Sequence, residues 1–107
     1  MELGFTPDWS LPAHVHAFMT VRAGGVSRSP FDSLNLGDHV GDDPSAGAEN
    51  RRRLCARFGI ETAFLRQVHG EAVQHLTASN VESPDLVADI ALSTAPRVAA
   101  TIMVADC

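Results

Sequence analysis

The segment Asp43–Gly59, DPSAGAENRRRLCARFG, decides the fold class, because it carries both a helix-start and a helix-end signal. Asp43 is predicted to be the N-cap and Pro44 the first helical residue, since both residue types favour those positions. Gly59 is predicted to end the helix as its C′ residue, where a left-handed backbone is common. The sequence therefore predicts one well-defined helix in the middle of the chain.

The spacing of side chains within this segment predicts which face of the helix is buried. Leu54 and Phe58 are four residues apart and are expected to face the core. Glu49 and Arg53 have the spacing and order of a favourable surface ion pair. Cys55 lies beside Leu54 and is interpreted as a packing residue.

On either side of the helix, short apolar or alternating stretches predict β-strands, separated by loops rich in glycine, proline and serine. The predicted strands are His14–Arg22, Ile60–Val68, Val73–Leu76, Ile90–Thr94 and Val98–Ala105. Residues 24–43 show no clear periodicity but contain leucines and valines that can pack, so we expect an ordered loop. Several strands around one helix predict an α+β fold with a mixed sheet.

The composition restricts the possible partners and location. The chain has 107 residues, 45% of them hydrophobic, which is typical of one small folded domain. Its formal net charge of −5 disfavours binding to nucleic acid or to anionic lipid. Neither a signal peptide nor an apolar stretch long enough to cross a bilayer is present. The two cysteines then indicate reduced thiols in the cytosol, so a cytoplasmic location is expected.

Two residues at the ends of apolar stretches are the main candidates for chemistry. His69 lies in the sequence Gln67-Val68-His69-Gly70, and Cys107 follows the last predicted strand. Imidazole and thiolate are the ligands that zinc prefers. Their wide separation carries no metal signature of its own, so a surface histidine and a small buried cysteine are the alternatives.

A second histidine pair, His14 and His16, would share one face of a strand, as copper-oxidase ligands do. A multicopper centre needs more histidines than the five in this chain. The pair is therefore interpreted as an ordinary part of a strand.

Several segments together resemble one family. They are Thr20–Ser27 (TVRAGGVS), Ser33–Gly37 (SLNLG), His39–Pro44 (HVGDDP), Asn50-Arg51, Gln67–Gly70 (QVHG), Ala88-Asp89 and Ala105–Cys107 (ADC). In this order they are similar to the YfiH family, also called the laccase-domain or multicopper polyphenol oxidase family. The resemblance covers nearly the whole chain from about residue 15.

The resemblance implies an α+β fold of layered mixed β-sheets with flanking helices, of which residues 1–107 would be the N-terminal portion, truncated at Cys107. It also implies a zinc site made of His69, Cys107 and a further histidine expected beyond Cys107. Copper is the less favoured metal. Two protein ligands rarely hold zinc tightly, so the activity of residues 1–107 alone is expected to be incomplete.

The activities that the resemblance implies act on purine nucleosides. They are phosphorolysis of adenosine, inosine, guanosine and methylthioadenosine, and deamination of adenosine. The implied partners are a small-molecule nucleoside and phosphate. The sequence leaves the oligomeric state open.

Four further residues are candidates for substrate binding. Arg22 and Arg51 are candidates for anion binding, since a guanidinium can pair with two oxygens at once; surface arginines are the alternative. Asn35 and Gln67 are candidates for hydrogen bonds to sugar or base edges. Asn35 has the alternative role of stabilising its own loop.

Three other interpretations remain open at this point. In a cysteine hydrolase acting on peptidoglycan precursors, Cys107 would be the nucleophile and His69 its base. A copper-dependent phenol oxidase corresponds to the older name of the family. A chain without catalytic activity is the third.

Overall fold

The computed structural model of the protein describes residues 3–83 and 86–105. The chain forms two compact units, the first ending at Leu54 and the second beginning at Cys55. The elements within the described part are β1 (Gly4–Phe5), β2 (Met19–Thr20), α1 (Pro44–Phe58), β3 (Glu61–Thr62), β4 (Val73–Leu76), β5 (Ile90–Ser93) and β6 (Val98–Ala99).

The first unit is held together mainly by a loop that surrounds one buried amide. β1 and β2 form an antiparallel pair in which Gly4 is opposite Thr20. The loop that follows packs around Asn50, whose side chain is 0% exposed. A Cβ atom at Gly25 would overlap the carbonyl oxygen of Ser33 and lie 2.5 Å from Asn50 Oδ1, so only glycine fits at this position.

Helix α1 begins and ends where the sequence predicts. The carboxylate of Asp43 accepts a hydrogen bond from the backbone N–H of Ser45 at 3.0 Å, which confirms the N-cap. Gly59 has a φ of 63°, and the N–H of Ile60 donates to the carbonyl of Cys55 at 3.1 Å. This is the hydrogen bond of a Schellman motif, which confirms Gly59 as the C′ residue.

The faces of α1 also follow the predicted spacing. Leu54 is buried and Phe58 is half-buried. The predicted pair forms, with 2.9 Å between Arg53 Nε and Glu49 Oε2, and Arg52 reaches the same carboxylate at 2.8 Å. A single glutamate therefore forms ion pairs with two of the three consecutive arginines.

The second unit contains two parallel strand pairs, β3 with β6 and β4 with β5. Its apolar core consists of Ala63, Leu65, Leu76, Val81 and Ala88. Parallel pairs in this unit and an antiparallel pair in the first, with one helix between them in sequence, confirm the predicted α+β class with mixed sheets.

Three of the predicted strands are much shorter in the structure. β2, β3 and β6 each have two residues, whereas the sequence predicted strands of eight or nine. The predicted strand Val98–Ala105 ends at Ala99 in the structure, and Ile102 and Val104 beyond it are 45% and 60% exposed. A strand needs a hydrogen-bonding partner along its whole length, and periodicity alone does not reveal where that partner ends.

Candidate functional site

The second unit presents His69 on an unusual turn. Residues 67–72 connect an isolated parallel bridge, between Arg66 and Val87, to the start of β4. Within this turn His69 is exposed and has a φ of 61°, in the left-handed region that residues with a Cβ atom rarely adopt. Such a conformation costs roughly 1–2 kcal/mol, so other contacts must hold it.

Those contacts come from one carboxylate. Asp89 accepts hydrogen bonds from three consecutive backbone N–H groups. The N–H of His69 donates to Oδ1 at 2.9 Å and that of Gly70 to Oδ2 at 2.8 Å. The N–H of Val68 lies 3.1 Å and 3.2 Å from the two oxygens. Consecutive N–H groups that converge in this way form an anion-binding nest, here filled by the protein's own aspartate.

The electrostatics of this turn follow from the same bonds. The N–H of Gly70 contributes most to lowering the pKa of Asp89, followed by the N–H groups of His69 and Val68, while desolvation acts in the opposite direction. Asp89 is therefore ionised throughout the physiological pH range, and its hydrogen bonds are of the stronger, charge-assisted kind.

Of the two predicted metal ligands, His69 lies within the described residues. The exposed imidazole of His69 offers a nitrogen of the kind that zinc binds, whereas Cys107 lies outside the described residues. Among the residues that the structure describes, no three His, Cys, Asp or Glu side chains are grouped as a metal site would require. The donor types suit zinc, but residues 3–83 and 86–105 do not complete a site. Gln67, beside this turn, is half-buried, and its role in binding substrate stays a prediction.

The histidines considered for copper are arranged differently from the prediction. His14 and His16 lie before β2 rather than in a strand, and both are exposed. Without strand geometry the two imidazoles have no reason to share one face.

In the first unit, Arg22 and Asn35 line the same open pocket of about 300 Å³, together with Pro30, Phe31, Asp32 and Leu34. The side chain of Arg22 is 74% exposed, and its guanidinium donates to the carbonyl of Asp32 at 2.9 Å and lies 3.6 Å from the Asp32 carboxylate. An exposed pair of this kind is weak, so the guanidinium can exchange this partner for another anion.

Asn35 stabilises its own loop, as the alternative interpretation predicted. Its Oδ1 accepts from the N–H of Gly37 at 3.2 Å, and its Nδ2 donates to Asp42 at 3.1 Å. Hydrogen bonds from Ser27 and then Asn35 lower the pKa of Asp42, and the N–H of Asp43 has a smaller effect in the same direction. Because its amide is engaged on both sides, Asn35 would have to exchange these bonds to reach a substrate.

Arg51 is held more tightly than Arg22. Its side chain is 24% exposed, its Nε donates to the carbonyl of Leu36 at 2.8 Å, and one terminal nitrogen lies 3.8 Å from Asp38. It lines a second pocket of about 240 Å³, whose other lining residues include Asp38, Asp42 and Asp43. These acidic neighbours oppose the binding of an anion there.

Two residues that organise these regions were not assigned a role from the sequence. Asp89 holds the His69 turn, and Asn50 holds the loop of the first unit. Both occur within the segments that carry the family resemblance, but nothing in the sequence shows which backbone groups they contact. The available signal was that Asn and Asp side chains often bond to loop backbones.

Comparisons with known proteins place this geometry in context. The family model described as multi-copper polyphenol oxidoreductase laccase matches residues 16–107. A purine nucleoside phosphorylase from Pseudomonas aeruginosa is 53% identical over 107 residues, covering 100% of this chain and 43% of that protein. A purine nucleoside phosphorylase from Haemophilus influenzae is 43% identical over 103 residues, covering 94% of this chain and 41% of that protein.

Solved structures agree with this similarity. A Neisseria meningitidis protein of the DUF152 family has a TM-score of 0.82 at 36% identity, covering 91% of this chain and 39% of that one. YlmD from Geobacillus stearothermophilus has a TM-score of 0.64 at 34% identity, covering 71% of this chain and 32% of that one. The chain spans about two fifths of the length of the two purine nucleoside phosphorylases. In the part of the chain that the structure describes, no helix has the length and apolar character needed to span a membrane.

Proposed function

We propose that this chain, which belongs to the multi-copper polyphenol oxidoreductase laccase family, supplies part of the active site of a zinc-dependent purine nucleoside phosphorylase. The observation that carries the proposal is the identity, 53% and 43%, to two proteins named as purine nucleoside phosphorylases. The proposed reactions are phosphorolysis of adenosine, inosine, guanosine and methylthioadenosine, and deamination of adenosine. The proposed location is the cytosol.

His69 and Cys107 are the residues proposed to hold the metal. An exposed imidazole on a turn fixed by several hydrogen bonds supports this role for His69. When bound, zinc supplies a Lewis acid that stabilises developing negative charge. Because a metal ligand needs a fixed direction, the turn at His69 is better suited to the role than a freely moving surface histidine.

Arg22 is the better of the two arginine candidates for binding phosphate. Its side chain is 74% exposed and borders a pocket of about 300 Å³, whereas the guanidinium of Arg51 is engaged with a carbonyl and lies near acidic residues. Gln67 and Asn35 are proposed to contact the nucleoside, with the amide of Asn35 leaving its loop partners to do so.

A turnover assay with product analysis tests the proposal on the protein as its gene encodes it. Inosine is incubated with and without phosphate, and hypoxanthine and ribose 1-phosphate are measured; adenosine is assayed in parallel for conversion to inosine. We expect His69→Ala and Cys107→Ala to lower turnover by at least about 100-fold, as loss of a group that stabilises transition-state charge does. His75→Ala is the matched control, because His75 is also exposed but lies on β4.

The turnover assay distinguishes three results. Loss of turnover in both variants with retention in His75→Ala supports the assignment. Turnover that survives both substitutions removes these residues from the mechanism. Production of free ribose rather than ribose 1-phosphate would show hydrolysis instead of phosphorolysis.

The description of the matching family favours one alternative, a copper-dependent phenol oxidase. Metal analysis of protein purified without added copper distinguishes it, since copper with the absorption of a copper centre would support the oxidase. The cysteine-hydrolase alternative is tested by alkylation of Cys107. If bound zinc protects the Cys107 thiol from alkylation and no acyl-enzyme forms, Cys107 is a metal ligand rather than a nucleophile.

A further inference from the structure

Asp89 lies at the base of the loop that carries His69, as a consequence of how the strands pair. Between the bridge from Arg66 to Val87 and the first pair of the β4–β5 ladder, one segment contains residues 67–72 and the other only residues 88–89. Both pairings are parallel, so the longer segment must leave the sheet as a loop. Asp89, which directly precedes β5, therefore lies at the base of this loop.

The hydrogen bonds define the shape of that loop at its most unusual point. Both oxygens of Asp89 are used, and together they bind the N–H groups of Val68, His69 and Gly70. The central residue of this set is the one with a φ of 61°. Since the direction of the Cβ atom follows from the backbone dihedrals, holding these three N–H groups also holds the direction in which the His69 side chain leaves the chain.

We propose that Asp89 is a positioning residue, whose carboxylate holds the backbone of residues 68–70 so that the His69 imidazole is presented in its metal-binding orientation. The inference rests on the proposed function, because it takes His69 as a ligand. It adds a requirement that the ligand role alone does not contain: a carboxylate twenty residues further along the chain sets the ligand's direction through main-chain groups, without contacting the metal.

The chemistry of the nest predicts a graded effect of substitutions. Asp89→Asn keeps the size of the side chain but offers one oxygen, and its amide N–H₂ would point at N–H groups that also donate. Asp89→Ala removes every acceptor. We therefore expect the turn to be held most precisely in the wild type, less precisely in Asp89→Asn and least precisely in Asp89→Ala.

The test measures metal binding directly, by competition of Zn²⁺ with a chromophoric chelator and by the absorption spectrum of bound Co²⁺. Loss of a group that orients a ligand typically weakens metal affinity 10- to 100-fold. We expect a loss of this size for Asp89→Ala, a smaller loss for Asp89→Asn, and a changed Co²⁺ spectrum in both. Glu71→Gln is the control, because Glu71 is exposed and close in sequence to His69 but makes no hydrogen bond to the described part of the turn.

The fold of each variant is checked by circular dichroism and by the backbone amide spectrum, in which the resonances of residues 68–70 should shift. Wild-type affinity and an unchanged Co²⁺ spectrum in a folded Asp89→Ala protein would overturn the inference. If Asp89→Ala does not fold, Asp89→Asn decides in the same way; failure of both to fold would make Asp89 a structural residue and also overturn it. A matching loss in Glu71→Gln would assign the effect to net charge rather than to positioning.

His69→Asn separates this inference from the proposed function, since asparagine tolerates the left-handed backbone but supplies no imidazole. Loss of Zn²⁺ affinity in His69→Asn together with wild-type affinity in Asp89→Ala leaves His69 as a ligand and removes the role of Asp89. Unchanged affinity in His69→Asn contradicts the ligand role itself.

Discussion

Asn50 shows how much one residue can organise in the first unit. Its Oδ1 accepts from the N–H of Val26 at 2.8 Å, and its Nδ2 donates to the hydroxyl of Ser27 and to the carbonyl of Asn35, each at 2.8 Å. The side chain is 0% exposed, so water cannot replace any of these bonds without opening the loop. One helical amide thus joins separate parts of a loop that has no regular structure of its own.

We expect Asn50→Ala to lower the free energy of unfolding by about 2–4 kcal/mol, because it removes one buried hydrogen bond, to Ser27, and leaves two partly buried backbone groups without this partner. Urea denaturation followed by far-ultraviolet circular dichroism measures the change. Trp9 is 65% exposed and would be a poor fluorescence reporter.

Asn80→Ala is the matched control for this substitution. Asn80 also makes hydrogen bonds to backbone groups, of Thr77 and His75, but these bonds are solvent-exposed. Water can take over exposed bonds, so the loss should be clearly smaller. Equal losses in the two variants would mean that burial of the Asn50 amide is not the cause.

At the scale of elements, helix α1 was predictable because its signals are local. The N-cap, the C′ glycine and the pair of Glu49 with Arg53 each depend on residues within a few positions of one another. The ends of the short strands were not predictable, because a strand ends where its partner ends, and the partner is distant in sequence. β4 has its predicted bounds because it pairs with β5 along its whole length.

The turn at His69 illustrates the same limit on a smaller element. The glycine of this turn is Gly70, but the residue with the left-handed backbone is His69. A local pattern assigns positive φ to glycine by default. Here the carboxylate of Asp89, which no local pattern includes, stabilises that conformation in a histidine instead.

The charged face of α1 should make stability depend on pH. Hydrogen bonds from Arg52 and then Arg53 lower the pKa of Glu49 from 4.5 to about 2. The folded state therefore binds this proton more weakly than the unfolded state does. The resulting stabilisation is fully present above pH 4.5 and is lost as the pH falls toward 2.

We expect Glu49→Gln to make the decrease in stability between pH 4.5 and 2 less steep, without abolishing it, because Asp42 and Asp89 also have lowered pKa values. Glu82→Gln is the control, since Glu82 is exposed and forms no ion pair with the described residues. Unfolding curves at several pH values measure the slope of stability against pH for the wild type and for these two variants. An identical slope in wild type and Glu49→Gln would contradict the role of this pair.

For the whole molecule, the α+β class was predictable, whereas the composition of the candidate site was predictable only in part. His69 was chosen by its motif and is exposed, and its role in the site stays a prediction. Arg51 and Asn35 are engaged in loop contacts. Residue type alone cannot predict this, because the same side chains bind a substrate or a backbone group equally well. What decides between these roles is which groups the fold brings within hydrogen-bond distance.

The same distinction between residue type and environment governs stability in the second unit. Leu76 on β4 is 0% exposed and belongs to the apolar core, while Leu92 on the neighbouring β5 is 56% exposed. Residue type alone treats the two leucines alike, since each lies in a four-residue strand. The register places them on opposite faces, because His75, and not Leu76, is the partner of Leu92.

We expect Leu76→Ala to lower the free energy of unfolding by about 2–5 kcal/mol, through lost burial and the cavity that remains. Leu92→Ala removes the same atoms from a surface position and should change it by about 0.5 kcal/mol or less. Urea denaturation of both variants measures the difference directly. Because a small protein has a total stability of only about 5–15 kcal/mol, the first substitution should shift the midpoint far enough to be visible without extrapolation. Similar midpoints for the two variants would mean that β4 does not bury Leu76 in solution, and the register that also places Asp89 under the His69 turn would then be wrong.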